Sequence, residues 1–173
     1  MYKATIKQRF DKCDQTNVAR KVAGWKESYP NDEFFFRCYA DINDQFSGPA
    51  TSEDDLNDDE IKVVSNMSKQ KMMFIHQTSW QKALLKKYGN EICLLDATYK
   101  TTRYALPLFF LAVKTNVDYQ IVASFVIQDE TTDSIKEPIQ KIKEWNPEWQ
   151  PKYFMTDFCQ EEITAIEEVF DGK

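Results

Sequence analysis

The chain has 173 residues, 42% hydrophobic and 14% aromatic, with only 4 Gly and 6 Pro, so it can bury a core and is not a disordered polypeptide. Its net charge of −6 argues against a broadly basic nucleic-acid binder, and its single histidine excludes a His-rich zinc site. The longest apolar run, residues 105–113, is too short to cross a membrane and contains Pro107.

Residues 1–10 are polar and basic and carry no secretory pattern. Residues 16–29 read as a helix, with Val18, Val22 and Trp25 on one face and Pro30 as its stop. Phe34-Phe35-Phe36-Arg37-Cys38-Tyr39 reads as a strand on β propensity. Residues 43–60 read as a loop that contains Gly48-Pro49 and is long enough to mark a flexible insertion. Between Asp41 and Glu60 stand eight acids and no Lys or Arg; without them the rest of the chain carries +2. The acidity is therefore local, and the near-neutral remainder permits DNA contact without requiring it. A second strand is expected over residues 72–75.

Thr78 and Gln81 have the spacing of a capping box. Trp80, Leu84, Leu85 and Tyr88 follow at helical spacing up to Gly89. Lys82, Lys86 and Lys87 fall off that apolar side, as a solvated face or as phosphate contacts. Residues 92–98, 106–114 and 120–127 are three strands in quick succession, with Asn116-Val117-Asp118 as a hairpin turn. They form an antiparallel meander, apolar at nearly every position, which predicts cover on both faces. Residues 131–145 read as a helix with Ile135, Ile139 and Ile142 on one side. Ser134 and Glu137 offer a capping box, and a start near Ser134 would accommodate Pro138. Asn146-Pro147 breaks the helix, residues 152–156 form a strand, and residues 160–170 form a helix closed by Asp171-Gly172. On that last helix Ile163, Ile166 and Phe170 are expected inward, with Glu161 and Glu162 near its positive end. Three strands, a helix, a strand and a helix make an α/β domain with a mixed sheet. A right-handed crossover returns the fourth strand parallel, and pattern alone leaves open whether it lands beside the first.

Two aspartates stand out. Asp96 lies inside the apolar run Leu94-Leu95-Asp96-Ala97-Thr98, and Asp157 repeats the arrangement in Tyr153-Phe154-Met155-Thr156-Asp157. A carboxylate at the end of a buried strand is costly to desolvate and calls for a hydrogen bond, a cation or a metal ion. The bland alternative is a turn or a helix cap, and Asp157 could cap the helix beginning near Gln160. Lys100 and Arg103 follow the first strand as phosphate contacts or as surface charge, and Tyr99 as core or active-site edge. His76 reads as structural; Trp145 and Trp149 read as core anchors or base-stacking platforms. Cys13, Cys38, Cys93 and Cys159 form no CxxC pair and read as reduced intracellular thiols.

Asp96-Ala97-Thr98-Tyr99-Lys100-Thr101 with Tyr104-x-Leu106-Pro107-Leu108-Phe109, then Trp145-Asn146-Pro147-x-Trp149-x-Pro151-Lys152-Tyr153-Phe154-Met155-Thr156-Asp157, resembles the transposase domain of Mutator-like elements. His76-Gln77-Thr78-x-Trp80-Gln81 to Tyr88-Gly89-Asn90 is similar to the run-up in animal members. The resemblance implies a ribonuclease H-like fold of strand order 3-2-1-4-5, flanked by helices. It divides the chain into an N-terminal helical extension (1–33), a strand, acidic loop and strand leading into the core (34–75), and the N-terminal part of the transposase core (76–173), truncated before the fifth strand. It also implies an Asp-Asp-Glu site binding two Mg²⁺ or Mn²⁺ ions, with Asp96 and Asp157 as the first two catalytic, metal-binding acids. The family's glutamate lies well beyond the second aspartate, and Glu161, Glu162, Glu167 and Glu168 are too close to Asp157 to match it. The implied activity is cleavage and strand transfer of DNA at transposon ends and target, in the nucleus, with no membrane partner. Self-association is compatible with it, and a zinc-binding or other recognition domain is expected outside this chain. The alternatives are a domesticated or truncated DNA- or protein-binding module that no longer cuts, and a nuclease with hydrolytic activity only.

Overall fold

The computed structural model describes residues 14–41, 69–98 and 104–170. The acidic stretch of residues 43–60, Cys13, Tyr99, Lys100, Arg103 and Asp171-Gly172 lie outside the described residues. Helices are α1 (Asp14–Ser28), α2 (Ser79–Tyr88), α3 (Thr132–Trp145) and α4 (Gln160–Phe170). Strands are β1 (Glu33–Arg37), β2 (Ala40–Asp41), β3 (Lys69–Gln70), β4 (Met73–Gln77), β5 (Ile92–Thr98), β6 (Leu108–Lys114), β7 (Tyr119–Ile127) and β8 (Tyr153–Met155). Six of them form one mixed sheet in the order β1-β4-β7-β6-β5-β8, while β2 and β3 pair as a separate ribbon. Numbered from β5, the last four stand in the order 3-2-1-4, which is a ribonuclease H-like sheet. β1 and β4 extend it on the side of β7.

Period-2 alternation carries the packing. Met73, Ile75, Cys93, Leu95, Phe109, Leu111, Val113, Phe125 and Ile127 are buried against Leu84 and Leu85 of α2, Ile135, Ile139 and Ile142 of α3, and the inner side of α4. Phe109 and Phe125 stack in parallel across β6 and β7 at 4.8 Å. The alternate residues, among them Leu94, Phe110 and Val126, are only half-buried. The expectation of two covered faces therefore holds for one face. On the other, α1 packs on the β1–β4 side, where Trp25 lies on Phe34 and Phe74, and its first residue, Asp14, accepts from the Tyr104 hydroxyl ahead of β6. Val22 of α1 is buried while Val18 stays exposed. His76 stacks on Phe34 at 4.5 Å, and burial lowers its pKa against the opposing pull of Asp32, so it packs as a neutral ring.

The capping box of α2 is present: Thr78 Oγ1 accepts from Gln81 N at 3.1 Å, and Gln81 Oε1 accepts from Thr78 N at 2.8 Å. Thr78→Ala should cost about 1 kcal/mol, read as a lower urea midpoint at unchanged slope. Gly89 ends α2 in the ordinary right-handed region, so its requirement is space rather than a left-handed turn. An added Cβ would meet Leu85 O at 2.5 Å and the Trp149 ring at 3.1 Å. Helix α3 departs from expectation. Its cap is Thr131, whose side chain accepts from Ser134 N, so Ser134 lies inside the helix and Pro138 is a buried interior residue. Glu137 does not cap; it takes both guanidinium nitrogens of Arg37. At the other end Asn146 donates to Ile142 O and to Gln77 Oε1, and Gln77 donates to Val122 O, tying α3 to β4 and β7.

Candidate metal centre

Strand β5 lies between β6 and β8, hydrogen-bonded on both sides, so its backbone is held in place. Cys93 and Leu95 turn into the core and Asp96, next in line, is exposed. Across β6 it stands opposite Phe110. Strand β8 runs parallel to β5 with Ile92 opposite Tyr153, Cys93 opposite Phe154 and Leu94 opposite Met155. The pairing ends at Met155; the same register continued into the coil would bring Asp157 level with Asp96. Neighbouring strands are about 4.8 Å apart.

The register is pinned at its start. Lys152 N and Tyr153 N donate to Asn90 O and Glu91 O, both at 3.1 Å, and Gln150 N donates to Asn90 Oδ1 at 2.7 Å. Lys152 also pairs with Glu91 at 2.8 Å. Trp149 locks the same junction from below, with its ring edge-on to Phe154 and Phe170 and its indole N–H donating to Cys93 Sγ at 3.4 Å. It is a core anchor, not a base platform. The Cys93 thiol, buried beneath it, is pushed up to about 12, which makes it inert at neutral pH.

Asp157 is exposed and does not cap α4. The first turn closes from Ile163 N to Cys159 O. Among the described residues, neither the Asp96 nor the Asp157 carboxylate has a hydrogen bond or an ion pair.

Two further carboxylates share this edge. Strands β5, β7 and β8 all run the same way, so the residues after each gather at one end of the sheet, where α/β proteins place their ligands. Glu130 follows β7, and its Oε1 is buried with no hydrogen-bond partner. Glu162, in the first turn of α4, is 2% exposed, and its Oε2 is likewise buried and unpartnered. Burial first, then the negative charges of Asp157, Glu130 and Asp96, raise its pKa from 4.5 to about 7. Both aspartates are therefore within electrostatic reach of one buried acid.

Glu162 escapes a sequence reading that turns Ile163 inward. Helix α4 buries Glu162, Ala165, Ile166, Val169 and Phe170 instead, leaving Ile163 at the side of the stripe. The available signal was spacing: Glu162 precedes Ala165, Ile166 and Val169 by three, four and seven positions, so it sits on the apolar stripe.

The donor set consists of carboxylate oxygens, the ligands that hard divalent cations take, and two buried oxygens lack any other partner. In chemistry the site fits Mg²⁺ or Mn²⁺. Among the described residues, no three His, Cys, Asp or Glu side chains yet converge on a single ion position. Lys82, Lys86 and Lys87 lie elsewhere: Lys82 pairs with Glu33, Lys86 with Glu148, and Lys87 sits over the Tyr88 ring.

Comparison with known proteins agrees with the topology. A family model described as Zinc finger SWIM domain-containing protein 1/3, RNaseH-like domain, matches residues 52–172. No curated protein and no solved structure matches the chain. With more than half of its length matched and its strands in ribonuclease H order, the chain belongs to the family of the RNaseH-like domain of zinc finger SWIM domain-containing protein 1/3.

Proposed function

We propose that this ribonuclease H-like domain descends from a Mutator-like transposase and acts on DNA through a divalent-cation site at Asp96 and Asp157, in the nucleus. The observation that supports the reading is the parallel pairing of β5 and β8, with Asp96 and Asp157 beyond its paired residues, both carboxylates unpaired among the described residues and both acting on Glu162. Asp96 and Asp157 would hold Mg²⁺ or Mn²⁺, which would supply activation of an attacking water or 3′-hydroxyl and stabilisation of the leaving oxygen. Asp96, on a strand paired on both sides, would hold its ligand oxygens in a fixed place. Asp157, on the coil just past β8, would approach from the adjacent strand. Recognition of DNA ends would come from elsewhere; the family's printed name carries a zinc finger, a fitting source for it.

A second reading is a derived module that binds DNA or protein but no longer cuts. It is favoured by the lack of three converging ligands among the described residues. Mn²⁺ titration followed by the electron spin resonance of the free ion should show saturable binding that Asp96→Ala removes, while the fold persists because the carboxylate has no protein partner. Identical curves for the two proteins would sink the site. Nicking and strand transfer on supercoiled plasmid in Mg²⁺, against the same variant, separates the cutting enzyme from the module.

Phe158, beside Asp157, is fully exposed. On this reading its ring is a stacking surface for an unpaired base. Phe158→Ala should weaken single-stranded DNA binding by about 1–3 kcal/mol and leave the Mn²⁺ titration unchanged. Unaltered DNA affinity would remove the ring from the interface.

A further inference from the structure

We propose that the outer edge of β1 is a self-association surface, on which a second copy of this chain seats its own β1 antiparallel to make one continuous sheet. Strand β1 ends the sheet on its side, and among the described residues no strand lies beyond it. It pairs with β4 through five consecutive residues, Glu33 to Arg37, without a bulge. Its sequence, Glu33-Phe34-Phe35-Phe36-Arg37, holds no proline and no charge between its ends. Proline, bulges and mid-strand charges are devices that keep a free edge from taking up another strand, and β1 has none of them.

The charges at its two ends select the occupant. Antiparallel pairing of two copies about Phe35 sets Phe35 opposite its counterpart, Phe34 opposite Phe36, and Glu33 opposite Arg37 in both directions. A parallel pairing in register would set like charges together, and a slipped antiparallel one would lose both matches. Glu33 and Arg37 stand on the face that α2 and α3 cover, where Lys82 pairs with Glu33 and Glu137 with Arg37. Across the junction the charges would therefore read Lys82 and Glu33 of one copy, then Arg37 and Glu137 of the other, alternating in sign. Part-exposed ion pairs add little affinity. They fix register and orientation, while the strand ladder and the phenylalanines supply the binding.

The other face adds a second observation. Val18, Val22, Trp25 and Tyr29 recur along α1 at helical spacing, yet only Val22 is buried; Val18, Trp25 and Tyr29 are exposed. Trp25 lies on Phe34 of β1, so this stripe flanks the free edge. The two-fold axis of an antiparallel edge pairing is perpendicular to the sheet. It keeps each face on its own side and brings the second α1 across the junction from the first, giving the stripe apolar surface to bury against. Strands β5 and β8, which lead to Asp96 and Asp157, are at the opposite side of the sheet, so the pairing leaves that edge open and does not depend on it.

The test is sedimentation equilibrium of this chain as wild type, Glu33→Lys and Arg37→Glu, each alone, and of the two variants mixed, with circular dichroism as the check on folding. The wild type should dimerise. Glu33→Lys alone sets a lysine opposite Arg37 at both ends of the junction, and Arg37→Glu alone sets a glutamate opposite Glu33, so each should self-associate at least about tenfold more weakly. In the equimolar mixture both ends again carry opposite charges, and dimers should return, although each variant keeps whatever change it suffers within its own chain. A wild type that stays monomeric at the highest attainable concentration would overturn the proposal and leave the edge to a strand of another protein. Dimers that neither variant weakens, or that the mixture fails to restore, would put self-association on another surface and overturn it as well.

Discussion

Trp149→Ala should destabilise the chain by about 3–5 kcal/mol, a large part of the stability of a domain this size. The indole is 2% exposed and fills the space between three elements: Phe154 of β8 at 6.0 Å, Phe170 of α4 at 5.0 Å, and the Cys93 thiol of β5. No neighbour can collapse into the void. Gly89 leaves the space that the ring occupies on its remaining side: a Cβ there would meet the ring at 3.1 Å. Removing the ring also takes away the donor to Cys93 Sγ, leaving the thiol only its bond to Gly89 O. Urea unfolding should show a midpoint lowered by more than in any surface variant, and Trp149→Phe should recover roughly half of the loss on the scale of large-to-small core changes. A further effect follows from position. Trp149 holds β8 on β5, so the variant should weaken Mn²⁺ binding even where it remains folded. A midpoint shift under 1 kcal/mol would mean the ring is not the keystone of this junction.

The elements that could be read from sequence are those whose signals are local. Strand β5 was legible because an apolar run gives way to Asp96 and a polar exit, and α4 because Ile166 and Phe170 recur at helical spacing. The capping box of α2 was legible because Thr78 and Gln81 answer each other within one turn. At α3 two local signals competed. Ser134 and Glu137 mimic a box, but Thr131 takes the cap because Ser134 is engaged by Asp129 and Glu137 by Arg37, partners that no local window contains. The placement of β8 beside β5 required pairing between distant segments, and only the family resemblance suggested it. The aspartates could be singled out one by one. Glu130 and Glu162 could not, because their character lies in burial and in the field of distant acids, which no local window contains.

Below neutral pH the metal-free chain should lose stability as pH rises from about 4.5 to about 7, a trend opposite to that of a salt-bridged carboxylate. Glu162 in the unfolded chain releases its proton near 4.5, whereas burial and the surrounding acids make the folded chain keep it to about 7. Between those values the folded state binds more protons, so its advantage is complete below 4.5, shrinks through the window and is gone above it. After allowance for solvent screening at the open edge, the loss is about 1–3 kcal/mol. His76 acts in the opposite direction over part of the same range. Burial lowers its pKa below 6.5, so its stabilisation is lost as the pH falls. The informative quantity is therefore the difference between wild type and Glu162→Gln. The variant should match the wild type near pH 4.5 and exceed it near pH 8, by a few degrees in melting temperature for a chain of this length. Parallel pH curves for the two proteins would mean that the Glu162 carboxylate is hydrated and charged in the fold.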